Sequence, residues 1–158
     1  LVDFNAVKGG IEIIPLDNDW QRAAHVYSDE VLISHRTDAE KGTPKFERGK
    51  SLSDHQQEMI YISGTAAIRG EESIVTGDVL VQTEITLENI QHLIGLEEGR
   101  EKLPEHSGKL ELLRVYLKHE EDVKEDMDKL CPDVPIVYLY ADVCREELLV
   151  EIEGIAYL

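Results

Sequence analysis

The sequence is poor in cysteine, with only Cys131 and Cys144 among its 158 residues. These two do not form a CxxC pair or another spacing typical of zinc ligands, and the six histidines show no ligand spacing either. Nothing else in the chain indicates an oxidising compartment. We therefore expect two free thiols in a cytoplasmic protein, with no structural metal and no cofactor.

Positive charge is also scarce. Sixteen Lys and Arg residues stand against 33 Asp and Glu residues, which leaves a net charge of -17, and no stripe of basic residues interrupts this balance. Binding to nucleic acid is disfavoured, because it depends on clustered positive charge. A small anionic metabolite can still bind where a few arginines or backbone N–H groups focus positive potential in one cleft.

Long apolar runs are absent, and none of the apolar segments is long enough to cross a bilayer. We expect a soluble protein with no membrane partner. A chain of 158 residues suits one domain with a single core. Because the chain begins at Leu1 rather than Met, two alternatives stay open: residues 1–158 are a single stand-alone domain, or they are the C-terminal part of a longer protein.

The sequence pattern predicts short strands and two helices. The strands are predicted at residues 10–15, 31–35, 59–63 and 110–117, with a loop over residues 41–54. An apolar stripe that begins after the capping residue Asp78 and stops before Gly95 predicts the longer helix. Residues 120–130 are predicted as a short acidic helix that packs Val123, Met127 and Leu130 against the sheet. This order predicts an α+β sandwich, a mixed sheet with both helices on one face.

Residues 134–156 are predicted to form a buried β-hairpin. Carboxylates inside it are unusual, because burial of an unpaired charge costs free energy. Val150 and Ile152 point to one face of a strand and Glu151 and Glu153 to the other, because side chains alternate. Burial of either carboxylate would raise its pKa, and a carboxylic acid with a raised pKa can deliver a proton at neutral pH. The alternative is a solvated strand face, which is the role we assign to Glu153.

Other residues of the chain suggest ligand contacts. Arg114 lies in an apolar strand and needs a partner, either a ligand carboxylate or an internal glutamate. Arg145 is predicted in a solvated hairpin turn, next to Cys144. A simple three-residue turn would place Cys144 and Glu151 on opposite faces of the sheet, whereas a bulge or a different loop length would bring them together.

Tyrosines and a small glycine-containing segment complete the candidates. Tyr27 and Tyr138, with Tyr61 and Tyr116, either line a cleft or pack in the sheet. The backbone N–H groups of the segment that starts with Gly64 and Thr65 are suited to bind a carboxylate.

Three segments resemble the Rid (YjgF) superfamily: residues 60–64 (IYISG), residues 82–90, which include Gln82, and residues 150–156 (VEIEGIA). Tyr27 and Ser28 resemble a segment that supplies a tyrosine to the family's cleft. The resemblance implies the Rid fold, a homotrimer and small-molecule clefts between subunits. It also implies that Glu151 matches the family's water-positioning glutamate, and that Ile136 replaces the arginine typical of its imine deaminases.

The chorismatase branch of this superfamily is more similar to the chain. The segments SGTAAI (63–68), YLYADVCR (138–145) and LLVEIEG (148–154) carry this second resemblance. It implies hydrolysis of the enolpyruvyl ether of chorismate, with Glu151 as the general acid, Cys144 in the pocket and arginines that bind the carboxylates. The chain departs from the branch at Tyr140, where a basic residue is common, and in its much shorter length.

These observations leave open what the protein does. The first hypothesis is a homotrimeric Rid/chorismatase-like hydrolase that binds a small carboxylate metabolite, with Glu151 as the catalytic acid. Arg114, Tyr27, Tyr138, Cys144, Gly64 and Thr65 are its candidate substrate-binding residues. The second is a non-catalytic Rid-like binding protein in which Glu151 pairs with an internal arginine. An imine or enamine deaminase is a third hypothesis, which Ile136 weakens.

Overall fold

The computed structural model describes residues 9–28, 31, 42–53, 57–95, 108–120 and 123–158. The helices are α1 (Val79–Ile94) and α2 (Lys124–Leu130), and residues Ala24–Val26 form a 3₁₀ turn. The strands are β1 (Glu12–Leu16), β2 (Gly49–Ser53), β3 (Glu58–Thr65), β4 (Ile68–Arg69), β5 (Glu72–Ser73), β6 (Lys109–Leu117), β7 (Ile136–Tyr140) and β8 (Val150–Tyr157).

Six strands form one mixed sheet in the order β1-β2-β3-β8-β6-β7. The β6–β7 pair is parallel and the other neighbours are antiparallel. Ile90 of α1 and Met127 of α2 share one buried cluster with Leu113 and Ile152 of the sheet, so both helices cover the same face. The predicted α+β architecture with a mixed sheet is confirmed. We call the opposite sheet face, to which Glu151 of β8 points, the open face.

Helix α1 begins and ends where the sequence predicts. The Asp78 side chain accepts hydrogen bonds from the backbone N–H groups of Leu80 and Val81, which satisfies two donors of the first turn. Gly95 ends the helix in the left-handed conformation, with φ of 81°, and its N–H bonds to the last carbonyls. Helix α1 is thus a well-defined element against β3 and β8.

The predicted C-terminal hairpin is wrong. Strand β7 pairs in parallel with β6 at one edge of the sheet, whereas β8 lies between β3 and β6. The physical reason is burial: Val150, Ile152 and Ala156 of β8 are all fully buried, and such a strand gains most from a central position under α1. Residues 141–149 therefore cross from the edge of the sheet to its centre.

The predicted loop over residues 41–54 contains strand β2, so this prediction is also wrong in part. Gly49 is typical of a loop, but here it opens β2, which pairs with β3, and this position needs glycine because a Cβ would lie 2.9 Å from the Tyr61 carbonyl oxygen. Strands β1, β3 and β6 are confirmed within two residues at each end. The strand predicted at 31–35 lies, apart from Val31, outside the described residues.

Helix α2 begins at Lys124, later than predicted. Val123 and Met127 are fully buried in the core, but Leu130 is exposed rather than packed against the sheet. In the described part of the chain, no helix is long and apolar enough to cross a membrane.

Candidate active site

Glu151 lies in a cavity of about 420 Å³ at the open face of the sheet. The cavity brings together four of the residues predicted from the sequence: Glu151, Tyr27, Cys144 and Gly64. They come from β8, from the 3₁₀ region, from the β7–β8 connection and from β3. Residues far apart in the sequence therefore form one concave surface around a single carboxylate.

The surroundings of Glu151 favour its neutral form. Burial raises the pKa of the Glu151 carboxyl above its usual value of 4.5, and the negative charge of Glu153 raises it further. The carboxylate also lies directly against Gly64, where a Cβ would overlap Oε1 and would lie 2.9 Å from Cδ. Gly64 thus leaves room for an acid that β8 holds inside the cavity.

Arg48 of β2 is a cavity residue that sequence reasoning missed. Its side chain is buried, with 4% exposed, and one terminal nitrogen, Nη2, donates to the Arg22 carbonyl at 2.7 Å and to the Tyr27 hydroxyl. Its Nε atom is buried with no hydrogen-bond partner among the described residues. The sequence pattern predicts this segment as loop. Recognition of strand β2 would have singled out Arg48 as an arginine within a strand. A buried donor on an arginine that lines a cavity is suited to an anionic ligand.

Arg145 corrects the prediction of a solvated turn residue. It is buried, and its Nη1 donates to the Glu71 carbonyl at 2.8 Å and to the Ser73 hydroxyl at 3.0 Å. Its guanidinium lies 5.5 Å from the centre of the Tyr27 ring. The reason is the crossover connection, which folds residues 141–149 against the small β4–β5 ribbon instead of exposing them in a hairpin turn.

Tyr27 lies beside both arginines. The Arg48 guanidinium is 5.7 Å from the centre of its ring and that of Arg145 is 5.5 Å away, a separation at which cations attract an aromatic face. The ring is buried, with 8% exposed. One cavity thus contains two buried cations in a chain of net charge -17.

Cys144 shares this cavity with Glu151, contrary to the simple hairpin geometry. The residue is exposed, but partial burial of its thiol raises its pKa and the charge of Glu151 raises it further. The crossover connection, absent from the hairpin, is what places the two side chains at the same site. The thiol is therefore mostly protonated at neutral pH.

Three predicted residues lie away from this cavity. Arg114 of β6 forms an ion pair with Glu153 at 2.8 Å. Of the two partners predicted for Arg114, a ligand carboxylate or an internal glutamate, the structure thus contains the internal glutamate. Thr65 is buried and its hydroxyl donates to the Ser63 carbonyl. Tyr138 of β7 packs against the main core, with the Lys124 amine 5.7 Å from the centre of its ring.

A second, larger cavity of about 800 Å³ adjoins the first on the open face. Phe46 and Ser63 line both cavities, and Arg114 and Glu153 line the larger one. Glu153 is half-buried and ion-paired, not the solvated surface residue that the sequence predicted. Among the described residues, no group of three or more His, Cys, Asp or Glu side chains is placed to hold a metal ion.

Comparison with known sequences finds related proteins, although no protein family model matches the chain. A chorismatase of Streptomyces rapamycinicus is 35% identical over 136 residues, which cover 79% of this chain and 41% of that protein. A 3-hydroxybenzoate synthase of Streptomyces hygroscopicus is 36% identical over 129 residues, which cover 71% of this chain and 36% of that protein. The chain thus spans less than half the length of these curated relatives.

Comparison with solved structures finds a chorismatase and a wider group of proteins. A chorismatase crystal structure superposes with a TM-score of 0.69 at 28% identity, over 91% of this chain and 43% of that one. The YjgF gene product of E. coli superposes with a TM-score of 0.57 at 16% identity, over 90% of this chain and 97% of that one. The second match shows the fold alone, and it shows that one such unit can account for nearly a whole chain.

Proposed function

Because the chain is a Rid (YjgF) superfamily protein close to the chorismatases, we propose that it binds a small carboxylate-bearing metabolite and hydrolyses an enolpyruvyl ether such as chorismate. The observation that carries the proposal is the composition of the Glu151 cavity. A buried carboxyl with a raised pKa shares that cavity with two buried arginines.

Arg48 and Arg145 supply the recognition of the substrate. Guanidinium groups bind carboxylates through charge-assisted hydrogen bonds, which are the strong ones. The Nε–H of Arg48 has no partner among the described residues, so a ligand carboxylate would satisfy it. The rings of Tyr27 and Phe46 lie beside Arg48 and present apolar surface to the body of a small metabolite.

Glu151 supplies the proton. Hydrolysis of an enolpyruvyl ether begins when an acid protonates the methylene carbon, which forms the new C–H bond and leaves a cationic centre at the ether carbon. Water adds to that carbon and returns its proton to the Glu151 carboxylate. The resulting hemiketal loses the ring alcohol, which keeps the ether oxygen, and pyruvate is released. A raised pKa keeps the acid form available near neutral pH.

A pyruvate-release assay with chorismate tests this function. Glu151→Gln removes the acid, so we expect the rate to fall by about 10²-fold or more. Glu84→Gln is the matched control, because Glu84 is exposed on α1 at the other side of the sheet, and it should keep the wild-type rate. A Glu151→Gln variant as active as wild type would show that another group donates the proton.

A non-catalytic binding protein is the second candidate. It is favoured by Tyr140, which stands where chorismatase-like sequences often have a basic residue and which is 65% exposed in this structure. Calorimetry separates the two candidates: this second function predicts that chorismate binds and that Arg48→Lys weakens binding, while no pyruvate appears. A deaminase is the less favoured third candidate, because the resemblance implies an arginine at the position of Ile136 in the imine deaminases.

A further inference from the structure

The two arginines of the candidate active site are both linked to the turn of the β4–β5 ribbon. Nη1 of Arg145 donates to the Glu71 carbonyl at 2.8 Å. Nη2 of Arg48 donates to the Arg22 carbonyl at 2.7 Å, and the Arg22 N–H in turn donates to the Gly70 carbonyl at 2.7 Å. The positions of both guanidinium groups therefore depend on residues 70 and 71, which connect β4 to β5.

The Glu71 side chain reaches from this turn to the segment that contains Tyr27. Its Oε1 accepts from the Ser28 hydroxyl at 2.7 Å, and its Oε2 accepts from the Ser28 N–H at 2.8 Å. Oε2 also forms an ion pair with Nη1 of Arg22 at 3.0 Å. Only 17% of the Glu71 side chain is exposed, and its carboxylate joins both ends of residues 22–28 to the ribbon.

We propose that Glu71 is a positioning residue that holds the two arginines of the site in place. Its carboxylate fixes residues 22–28, and the Arg22 carbonyl of this segment accepts from Arg48. Its main-chain carbonyl fixes Arg145. Glu71 is not among the described residues that line the cavity, so it acts through the arginines. The inference rests on the proposed function and deepens it, because a substrate with two carboxylates needs two cations in a fixed arrangement.

The contacts of Glu71 require a carboxylate and not an amide. Three donors meet its two oxygens: the Ser28 hydroxyl, the Ser28 N–H and the Arg22 guanidinium. Both oxygens of a carboxylate accept hydrogen bonds, whereas an amide has one acceptor oxygen and a donor NH₂ group. In Glu71→Gln the NH₂ group would face at least one of these donors. The hydrogen bonds from Ser28, above all that of its hydroxyl, lower the pKa of the Glu71 carboxyl, which is therefore charged at neutral pH.

The steady-state kinetics of pyruvate release from chorismate separate positioning from stability. Misplaced arginines weaken the binding of substrate and transition state alike, so Glu71→Gln should raise KM about 10-fold and leave kcat within about twofold. Ser28→Ala removes the hydroxyl alone and should raise KM by a smaller factor, which tests the same link in a milder variant. Glu72→Gln changes the exposed neighbour on β5 and is the matched control, with both constants kept. A loss confined to kcat, or an unchanged KM in both Glu71→Gln and Ser28→Ala, would overturn the inference.

A nitrogen-15 NMR spectrum of the arginine Nε–H groups tests the positioning without any substrate. The signals of Arg48 and Arg145 are assigned by their loss in Arg48→Lys and Arg145→Lys. We expect both signals to shift in Glu71→Gln and to keep their wild-type positions in Glu72→Gln. Signals that move equally in the two glutamate variants, or in neither, would overturn the inference. If they move only in Glu71→Gln but wild type releases no pyruvate, the proposed function fails and the positioning role of Glu71 stands.

Discussion

At the residue scale, the position of the Glu151 carboxylate depends on the lack of a side chain at Gly64. Gly64 of β3 faces this carboxylate, and any Cβ there would occupy the position of Oε1. The φ angle of Gly64 is not in the left-handed region, so alanine is compatible with its backbone. The glycine is required by close approach and not by backbone conformation.

Gly64→Ala should therefore move the Glu151 carboxylate and leave the fold intact. Because a displacement of about 1 Å can cost on the order of 100-fold in rate, we expect a loss of 10- to 100-fold in pyruvate release. The free energy of unfolding in urea should change little, since the atom that must move is the end of a flexible side chain. In a Glu151→Gln background, Gly64→Ala should have no further effect on the rate; independent, additive losses would contradict this account.

At the element scale, α1 contributes a buried polar side chain that holds the connection leading into β8. The Gln82 amide donates to the Glu147 carbonyl at 3.0 Å, and its oxygen accepts from the Leu149 N–H at 2.8 Å. Both bonds come from a side chain that is fully buried. The segment between Cys144 and Glu151 is therefore attached to helix α1.

Gln82→Met should destabilise the protein by about 1–3 kcal/mol, because a similar side-chain volume is kept while two backbone groups lose their partners. Urea unfolding measures this change. Gln91→Met, at a half-buried position of the same helix, is the matched control and should lie within about 0.5 kcal/mol of wild type. Equal losses in the two variants would show that the Gln82 bonds add nothing to stability.

At the scale of the whole molecule, the open face of the sheet is only partly polar. Ile13 of β1 and Val137 of β7 lie on this face and are 48% and 47% exposed. The Glu151 cavity opens on the same face. A surface that combines exposed apolar side chains with a binding cavity is typical of an interface, and the resemblance to Rid proteins implies that the interface is trimeric.

We therefore expect sedimentation equilibrium to give a mass three times the 17.9 kDa of one chain. Val137→Glu places a charge on the open face and should shift the protein toward the single-chain mass. Val75→Glu is the control, since Val75 is 68% exposed in the segment before α1 and off the sheet. A wild-type mass equal to one chain would refute the trimer.

Much of the architecture was predictable because it follows from local chemistry. The Asp78 cap, the apolar stripe and Gly95 define α1, and the alternation in β8 places Val150 in the core and Glu151 on the open face. The predictions that failed depend on partners distant in sequence. Gly49 is a strand residue because β2 pairs with β3, and Arg145 is buried because residues 141–149 fold against the β4–β5 ribbon.

The sequence alone determined the net negative charge, the α+β class and the longer helix, and it singled out the carboxylate of Glu151. These follow from composition and periodicity, which can be read directly from the chain. Only the tertiary structure decided which groups meet that carboxylate. The central position of β8 and the crossover from β7 bring Cys144 and Arg145 to Glu151, and β2 adds Arg48. The raised pKa of Glu151 depends on burial and on the charge of Glu153, and burial exists only once the strands have paired.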